Sequence, residues 1–282
     1  MERLSNCLVC GSKKIINKKS LIDYSLTKET FTLYQCLACD VLFTNPRPKK
    51  DKINKYYDLK KYDSYSKKSN VFGFIYGFIQ KLNNSYKTSL LKKYKTGYLL
   101  DYGSGSGSFV NHSKKKGYTS FGYEPINELT HNSIYKNKNI IKKQKYDWVT
   151  LWHVLEHTHN PKDTLNDLRE MLNKDGLMAI AIPNINSYDN IYYKKHWAGY
   201  DVPRHLFHFN PSSFKKLVSF ANLKIINKKP LWFDSIYVSM LSEKYKKNKF
   251  SFLSGFFRGF ISNLYAIKTG QHSSIIYILR KC

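Results

Sequence analysis

From residue 97 to the end of the chain, short apolar runs alternate with segments in which apolar residues recur at helical spacing. The apolar runs predict buried strands, and the amphipathic segments predict helices. The predicted strands are YLLDYG from residue 98, TSFGYE from 119, YDWVTLW from 146, LMAIAIP from 177, residues 223–230, and SSIIYILRK from 273. The predicted helices cover residues 107–117, 126–136, 161–173 and 211–221. Strands alternating with helices predict a doubly wound, mostly parallel α/β sheet.

Three other stretches interrupt this rhythm. Residues 49–96 have a helical pattern and follow the breaker Asn45-Pro46-Arg47-Pro48. Residues 184–212 are rich in Asn, Tyr, Trp and Pro, and residues 234–272 are strongly aromatic. We therefore expect a small module at 1–48, a helical connector or lid at 49–96, and a cofactor domain at 97–282 with insertions at 184–212 and 234–272.

Four of the five cysteines fall in two pairs, each pair separated by two residues: Cys7, Cys10, Cys36 and Cys39. Such a gap lets one tight turn present two thiolates to a metal, and two turns supply the four-sulfur shell that Zn²⁺ prefers. The opening MERLSNC has no apolar secretion-signal core, which disfavours disulfides, and a redox pair would need no second pair. The spacing predicts a structural zinc ribbon.

A glycine loop directly follows the first predicted strand of the sheet. It reads Asp101-Tyr-Gly-Ser-Gly-Ser-Gly107, in which glycines allow a sharp turn and close backbone approach beneath a helix N-terminus. The next strand ends in Glu124, where a carboxylate can accept both hydroxyls of a ribose. Asp101 would repel a pyrophosphate but attract the ammonium of a methionine moiety. The pattern therefore favours a nucleoside cofactor that carries methionine, although a ligand-free glycine turn remains the alternative.

These motifs, together with LLDYGSGSG, GYEP, WHVLEH and PRHLFHF, resemble class I S-adenosylmethionine-dependent methyltransferases of the bacterial subgroup with an N-terminal CxxC…CxxC zinc module. The resemblance implies a Rossmann-like methyltransferase sheet with an antiparallel last strand. It also implies a set of S-adenosylmethionine-binding residues: Asp101, Tyr102, Gly103, Ser104, Gly105, Gly107, Glu124, Pro125, Trp152 and His153.

The sequence departs from this family between the second and fourth strands. Only 22 residues separate Glu124 from Asp147, whereas relatives usually place a longer segment there, with a third strand and an acidic residue near the adenine. NIIKKQKYD predicts a clipped strand without such an acid. A truncated adenine pocket, and with it a non-catalytic binding protein, therefore stays open as an alternative.

Two groups of histidines are candidates for catalysis of methyl transfer, which needs an aligned acceptor and a base for its proton. His153 and His157 would share one face of a helix after the fourth strand, with Glu156 between them, and could serve as base, metal ligands or helix cap. Arg204, His205 and His208 lie in the polar and aromatic insertion that we expect to form the acceptor pocket. There Arg204 would hold an acceptor phosphate or carboxylate and one histidine would act as base; a loop held by its own hydrogen bonds is the alternative.

The formal net charge of +27 has two interpretations. Of the 47 basic residues, 41 are Lys and six are Arg, which fits a lysine-rich solvated surface and argues against a sequence-specific nucleic-acid reader. Around the aromatic segments 71–80 and 250–268 the charge could instead favour an anionic membrane surface. Gly73 and Gly77, like Gly255 and Gly259, are four apart, which predicts either close packing of the two segments as a lid or an interfacial face.

Taken together, the sequence predicts a cytoplasmic methyltransferase, or one at the inner membrane surface, that uses S-adenosylmethionine and structural zinc. The resemblance suggests O-methylation of a small, carrier-linked or lipid-linked acceptor in glycan or secondary metabolism. A non-catalytic zinc-ribbon partner-binding protein and an RNA or protein methyltransferase are the alternatives.

Overall fold

The computed structural model describes residues 1–57, 71–126 and 132–282, with the side chains of 71–76 left out. Its larger sheet has seven strands in the order β10-β11-β8-β7-β4-β5-β6. These strands are β4 (Tyr98–Tyr102), β5 (Thr119–Tyr123), β6 (Ile134–Tyr135), β7 (Tyr146–Trp152), β8 (Leu172–Pro183), β10 (Leu223–Pro230) and β11 (Ser274–Lys281). Strands β6, β5, β4, β7 and β8 pair in parallel, whereas β11 is antiparallel to both β8 and β10. The predicted doubly wound sheet with an antiparallel last strand is therefore confirmed.

Eight α-helices surround the two sheets in the described part of the chain. They are α1 (Val71–Lys92), α2 (Ser108–Lys114), α3 (Lys138–Ile141), α4 (Pro161–Met171), α5 (Tyr188–Tyr193), α6 (Pro211–Phe220), α7 (Trp232–Tyr245) and α8 (Ser251–Thr269). Asn160 and Asn210 cap α4 and α6, and a proline begins each helix, which explains why both starts could be predicted. None of the described helices is long and apolar enough to cross a bilayer.

The register of the large sheet brings the predicted cofactor residues to one edge. Asp101 of β4 lies opposite Gly122 of β5 and Thr150 of β7, and these three strands run in the same direction. Their carboxyl ends therefore open at the same place, where parallel α/β sheets bind ligands. The edge rests on a dry core, because Leu100, Val149 and Ile180 are fully buried in the middle of their strands.

A second sheet of four antiparallel strands holds the cysteine pairs. Its strands are β1 (Ile15–Ile22), β2 (Thr30–Cys36), β3 (Leu42–Thr44) and β9 (Phe207–His208). Strands β2 and β3 run into and out of the second cysteine pair, and β1 follows the first pair. The last strand, β9, comes from the 184–212 insertion and pairs with β3 through Phe43 and Phe207. The insertion is thus part of the sheet that carries the cysteines.

Several predicted elements differ in the structure. The predicted helix at 126–136 falls partly on residues 127–131, outside the described residues, and Ile134–Tyr135 forms the edge strand β6. The clipped strand predicted from Asn139 is instead the short helix α3, which the Asn137 side chain caps by accepting from the Asn139 backbone amide. The predicted helix at 161–173 ends at Met171, and strand β8 begins directly afterwards at Leu172. In the 49–96 stretch, Ile53–Tyr56 forms only a 3-10 turn and 58–70 lies outside the described residues.

Candidate functional site

The glycine loop has the backbone that close approach of a ligand requires. Gly103 and Gly105 have φ values of +78° and +53°, a region that favours glycine. A Cβ on Gly103 would lie 2.5 Å from the Val154 side chain, so the loop is pressed against the turn after β7. A Cβ on Gly105, by contrast, would meet nothing within 4 Å. The loop therefore leaves open space above its middle glycine, as a cradle for a ligand would.

Glu124 lies beside this open space, at the end of β5. Its carboxylate accepts a hydrogen bond from the Gly105 amide at 2.9 Å and another from the Ile126 amide at 3.0 Å. A carboxylate has about four acceptor sites, so one carboxylate can accept several hydrogen bonds at once. Pro125 follows on the exposed surface. The side chain of Ser104 is buried, and its hydroxyl has no hydrogen-bond partner among the residues that the structure describes.

Asp101 faces the interior, not the open loop. It is buried, and the Thr150 hydroxyl donates to its carboxyl at 2.7 Å. Burial raises the pKa of Asp101 to about 7, against the lowering effects of Thr150 and of Lys87 from α1. The Lys87 ammonium lies 4.5 Å from the centre of the Trp152 ring. Lys87 is therefore a positively charged partner of Asp101 within the chain itself. The sequence pattern did not single this lysine out.

His153 lies directly after β7, between two carboxylates. Its Nε2 is 2.6 Å from an oxygen of Asp234 on α7, and its Nδ1 is 3.3 Å from Glu156. Withdrawal from water opposes protonation of His153, but Asp234 and Glu156 together outweigh it and raise the pKa to about 10. The ring is therefore an imidazolium at neutral pH. Asp234 was not predicted, because an acid at the start of a distant helix belongs to no motif.

The predicted shared helical face of His153 and His157 is wrong. His153 has a positive φ of +57°, and the chain then makes only a 3-10 turn from Leu155 to His157. The His157 Nδ1 lies 2.8 Å from the Tyr57 hydroxyl and 3.1 Å from the Arg204 carbonyl oxygen. Burial, followed by the charge of His205, lowers the pKa of His157 to about 4. His157 is therefore neutral, and its ring contacts the 184–212 insertion, not His153 and Asp234.

The structure buries the second group of predicted catalytic residues. Arg204 is fully buried and forms ion pairs with Asp23 at 2.6 Å and with Asp201 at 2.8 Å. Because the guanidinium is enclosed by these two carboxylates, it presents no exposed surface to an acceptor phosphate or carboxylate. The prediction that Arg204 binds the acceptor is corrected accordingly: the residue joins the insertion to the loop after β1.

His205 and His208 are also held inside the insertion. His205 Nδ1 hydrogen-bonds the Gly199 carbonyl oxygen at 2.9 Å, and His208 Nε2 hydrogen-bonds the Tyr200 carbonyl oxygen at 2.9 Å. Burial lowers the pKa of His208 to about 3. The space between Trp197, His205 and Glu156 does not admit a water molecule. A catalytic role for either histidine stays a prediction, and the contacts fit the alternative of a loop held by its own hydrogen bonds.

Two groups of side chains have the geometry to hold a metal ion. The Sγ atoms of the four cysteines lie within 4.8 Å of one another, with 3.5 Å between Cys7 and Cys39 and between Cys10 and Cys36. A tetrahedral Zn²⁺ with bonds of about 2.3 Å needs sulfurs about 3.8 Å apart. One donor atom each from Glu156, His157 and His205 also lie within 4.8 Å of one another. No hydrogen bond reaches the Glu156 oxygens from the described part of the chain.

Comparison with known proteins gives one family match and several similar solved structures. A family model described as a methyltransferase domain matches residues 77–228. No curated protein matches the chain. Among solved structures, the chain is similar to the cyclopropane synthase MmaA2 from Mycobacterium tuberculosis, with a TM-score of 0.43, 11% identity, and 66% of this chain and 78% of that chain covered.

Two further solved structures were determined with S-adenosyl-L-homocysteine. An O-methyltransferase of a trans-AT PKS multienzyme of Brevibacillus brevis aligns with a TM-score of 0.45 and 14% identity, over 71% of this chain and 72% of that chain. The plantazolicin methyltransferase BpumL aligns with a TM-score of 0.46 and 14% identity, over 80% of this chain and 93% of that chain.

Proposed function

Because this chain belongs to the methyltransferase-domain family, we propose that it transfers the methyl group of S-adenosylmethionine to an oxygen of a small or carrier-linked acceptor. The observation that supports the cofactor best is the edge formed by β4, β5 and β7. There the open glycine loop lies beside Glu124, and the His153–Asp234 pair follows along the same edge. The oxygen acceptor rests on the resemblance to O-methyltransferases in glycan and secondary metabolism.

The charges at this edge favour a cationic ligand. Three carboxyl groups interact there with two cations: Lys87 with Asp101 and Asp234, and His153 with Asp234 and Glu156. The carboxylate of Glu124 acts on Asp101, whose pKa it helps to raise. A sulfonium and an ammonium group would both be attracted by this excess of negative charge, because partly buried charges are screened weakly by water. Glu124 would hold the ribose hydroxyls, and the backbone at Gly103 to Gly107 would lie against the methionine part. Ser104 and Trp152 offer a buried hydroxyl and indole N–H without partners among the described residues.

When bound, S-adenosylmethionine supplies an electrophilic methyl group, so the protein must align the acceptor oxygen and remove its proton. We propose that the Asp234 carboxylate accepts this proton; its side chain is 15% exposed, and that of its partner His153 is 30% exposed. Burial opposes ionisation of Asp234, but the charge of His153 and the hydrogen bond that it donates keep the pKa of Asp234 below its usual range. Asp234 is therefore ionised. His153 orients this carboxylate from one side, and the Glu156 carboxylate lies 3.3 Å from the other nitrogen of the ring as a second charge partner.

Calorimetric titration with S-adenosylhomocysteine tests the cofactor assignment without knowledge of the acceptor. We expect Glu124→Gln to weaken binding about tenfold or more, since it removes a charged acceptor for the ribose hydroxyls. Glu170→Gln, which removes an exposed carboxylate on α4, is the matched control and should bind as the wild type does. Absence of binding by the folded, zinc-loaded wild type would contradict the proposal and favour the non-catalytic partner-binding protein.

We also propose that Cys7, Cys10, Cys36 and Cys39 bind one structural Zn²⁺. Their sulfurs are near the separation that a tetrahedral site needs, and the Val9 amide donates to Cys7 Sγ at 3.4 Å. Such amide donors to sulfur stabilise thiolate ligands. Elemental analysis of the purified protein should find one zinc per chain, and less than half of that in the Cys39→Ser variant.

A further inference from the structure

Helix α8 has an unusual distribution of side-chain sizes. The residues that it buries are all small: Gly255, Gly259, Ser262 and Ala266. Its large apolar side chains are exposed instead, namely Phe252, Leu253, Phe256, Phe257, Phe260, Ile261, Leu264, Tyr265 and Ile267. Phe257 is 57% exposed and Ile267 64%. A helix of a globular protein normally does the opposite and buries its large apolar residues.

The close packing of α8 against α7 fixes this orientation. A Cβ on Gly255 would lie 2.3 Å from the Met240 Cα, and one on Gly259 would lie 2.5 Å from the Ile236 Cα. Only glycine permits the two backbones to approach so closely, so α8 cannot turn its aromatic side toward α7. Ser262 adds a hydrogen bond to the buried carboxylate of Asp189 on α5. The aromatic surface of α8 is therefore a stable feature of the fold.

The charged residues of α8 and of the sequence segments on either side of it are all basic. Glu243 is the last acidic residue of the chain, and eight basic residues follow it: Lys244, Lys246, Lys247, Lys249, Arg258, Lys268, Arg280 and Lys281. Lys249 and Lys268 flank α8 at its two ends and are exposed. The carboxylate of Asp189, which contacts α8, is buried, so the exposed charges of α8 and its flanking segments are basic. An exposed apolar face with basic flanks matches the chemistry of an anionic lipid surface. A second copy of the chain is a poor match, because each copy has a net charge of +27.

We propose that α8 lies flat in the headgroup region of an anionic membrane and docks the protein there. The aromatic and aliphatic side chains enter the boundary of the acyl chains, and the flanking lysines contact the phosphates. Contiguous exposed apolar surface of this kind marks an interaction site. Because α8 packs on α7, and α7 carries Asp234, docking brings the candidate active site close to the membrane. The docking itself does not depend on the proposed methyl transfer.

Flotation of the zinc-loaded protein with lipid vesicles tests the proposal. The vesicles are equal parts of phosphatidylglycerol and phosphatidylcholine, and vesicles of phosphatidylcholine alone serve for comparison. We expect binding to the anionic vesicles that weakens as salt is raised, and little binding to the neutral ones. The double variant Phe257→Ser, Phe260→Ser should bind at least tenfold more weakly, because two apolar side chains leave the acyl boundary. Phe220→Ser, which changes a 44% exposed phenylalanine on α6, should bind as the wild type does.

A second pair of variants separates local charge from net charge. Lys249→Gln with Lys268→Gln should weaken binding about fivefold per lysine. Lys13→Gln with Lys14→Gln removes the same total charge from the exposed residues just before β1 and should have a much smaller effect. Equal losses in the two double variants, or no binding of the wild type at low salt, would overturn the proposal.

Sedimentation without lipid decides between a membrane and a second copy. The wild type should sediment as the double serine variant does. If the wild type is a dimer and Phe257→Ser, Phe260→Ser converts it to a monomer, the exposed face of α8 is a contact between copies and the proposal is wrong. Circular dichroism should show the same helix content in all variants, since every substituted residue is exposed.

Discussion

The loop from Trp197 to Phe209 and helix α8 are both rich in aromatic residues, and the structure treats them in opposite ways. The loop is buried: Trp197, Arg204 and Phe207 are almost inaccessible to water, and β9 pairs with the cysteine-bearing sheet. Helix α8 keeps its aromatic side chains in solvent and buries only small residues. Local composition therefore does not decide burial. The loop is buried because distant elements, β3 and the loop after β1, supply partners for its polar groups.

The largest expected effect is that removal of the metal exposes the buried Trp197–Phe209 loop and leaves α8 unchanged. Structural zinc contributes on the order of 10 kcal/mol of apparent stability in small zinc modules. Chelation should therefore unfold the four-stranded sheet and, through β3 and β9, release the Trp197–Phe209 loop. Hydrogen exchange by mass spectrometry should show fast exchange in peptides covering Leu42–Thr44 and Phe207–His208.

Peptides from α8 provide the internal control for that experiment. Their exchange should change little on chelation, because α8 packs on α7 and not on the cysteine-bearing sheet. If peptides of the loop stay protected after the metal is gone, the loop does not depend on that sheet, and the contrast drawn above is wrong.

The next largest effect is expected from Arg204→Met. The substitution leaves the buried carboxylates of Asp23 and Asp201 without their cation, and breaking a buried pair in this way costs about 3–5 kcal/mol. Urea unfolding should show this loss, whereas Arg3→Met, at an exposed position, should change stability by less than about 0.5 kcal/mol. Arg204→Lys keeps the charge and should recover part of the loss.

The opposite outcome for Arg204 would restore the acceptor assignment. If Arg204→Met unfolds at the same urea concentration as the wild type and yet abolishes methyl transfer, the guanidinium acts on the substrate. The ion pairs of Arg204 with Asp23 and Asp201 would then form only in the absence of substrate, and the residue would serve to bind the acceptor.

A smaller effect should appear in acid. His208 is buried and neutral, with its pKa lowered to about 3, whereas in the unfolded chain it protonates below about 6.5. Between pH 6.5 and 3 the unfolded state therefore binds more protons than the folded state. The contribution of His208 to stability is complete above pH 6.5 and declines as the pH falls. Between pH 6.5 and 5 the loss should be about 2 kcal/mol.

The variant His208→Gln isolates this contribution. Glutamine can still donate to the Tyr200 carbonyl oxygen but does not titrate, so the difference in pH dependence between variant and wild type belongs to His208. Urea unfolding at several pH values measures it. Parallel curves for the two proteins between pH 6.5 and 5 would contradict the assignment.

The cofactor edge was largely predictable from the sequence, whereas the partners of its charged groups were not. The glycine loop and Glu124 lie within one β-α-β unit, so a short stretch of sequence contains the residues of the ligand-binding turn. Asp234 and Lys87 reach the same edge from α7 and α1, and only the folded chain shows that they meet His153 and Asp101. Sequence patterns describe local geometry well and contacts between distant elements poorly.

The misassigned residues show the same limit. Arg204 stands in a polar loop, which suggests a binding residue, but its partner Asp23 is 181 positions away in the sequence. The helix expected from His153 to His157 is absent because His153 adopts a positive φ that a helix cannot include. Gly255 and Gly259 of α8 pack closely on α7, whereas the sequence predicted packing against the segment 71–80.

The smallest of these effects concerns the attachment of α8. Gly255→Ala places a methyl group against the Met240 backbone, and relief of this contact by a shift of α8 should cost about 1–3 kcal/mol. Gly77→Ala in α1 is the matched control, because a Cβ there meets nothing within 4 Å and alanine favours a helix by about 1 kcal/mol. Thermal unfolding should thus show a lower midpoint for Gly255→Ala and an equal or higher one for Gly77→Ala. If both variants gain stability, α8 is not held by backbone contact with α7, and its exposed aromatic face is free to turn inward.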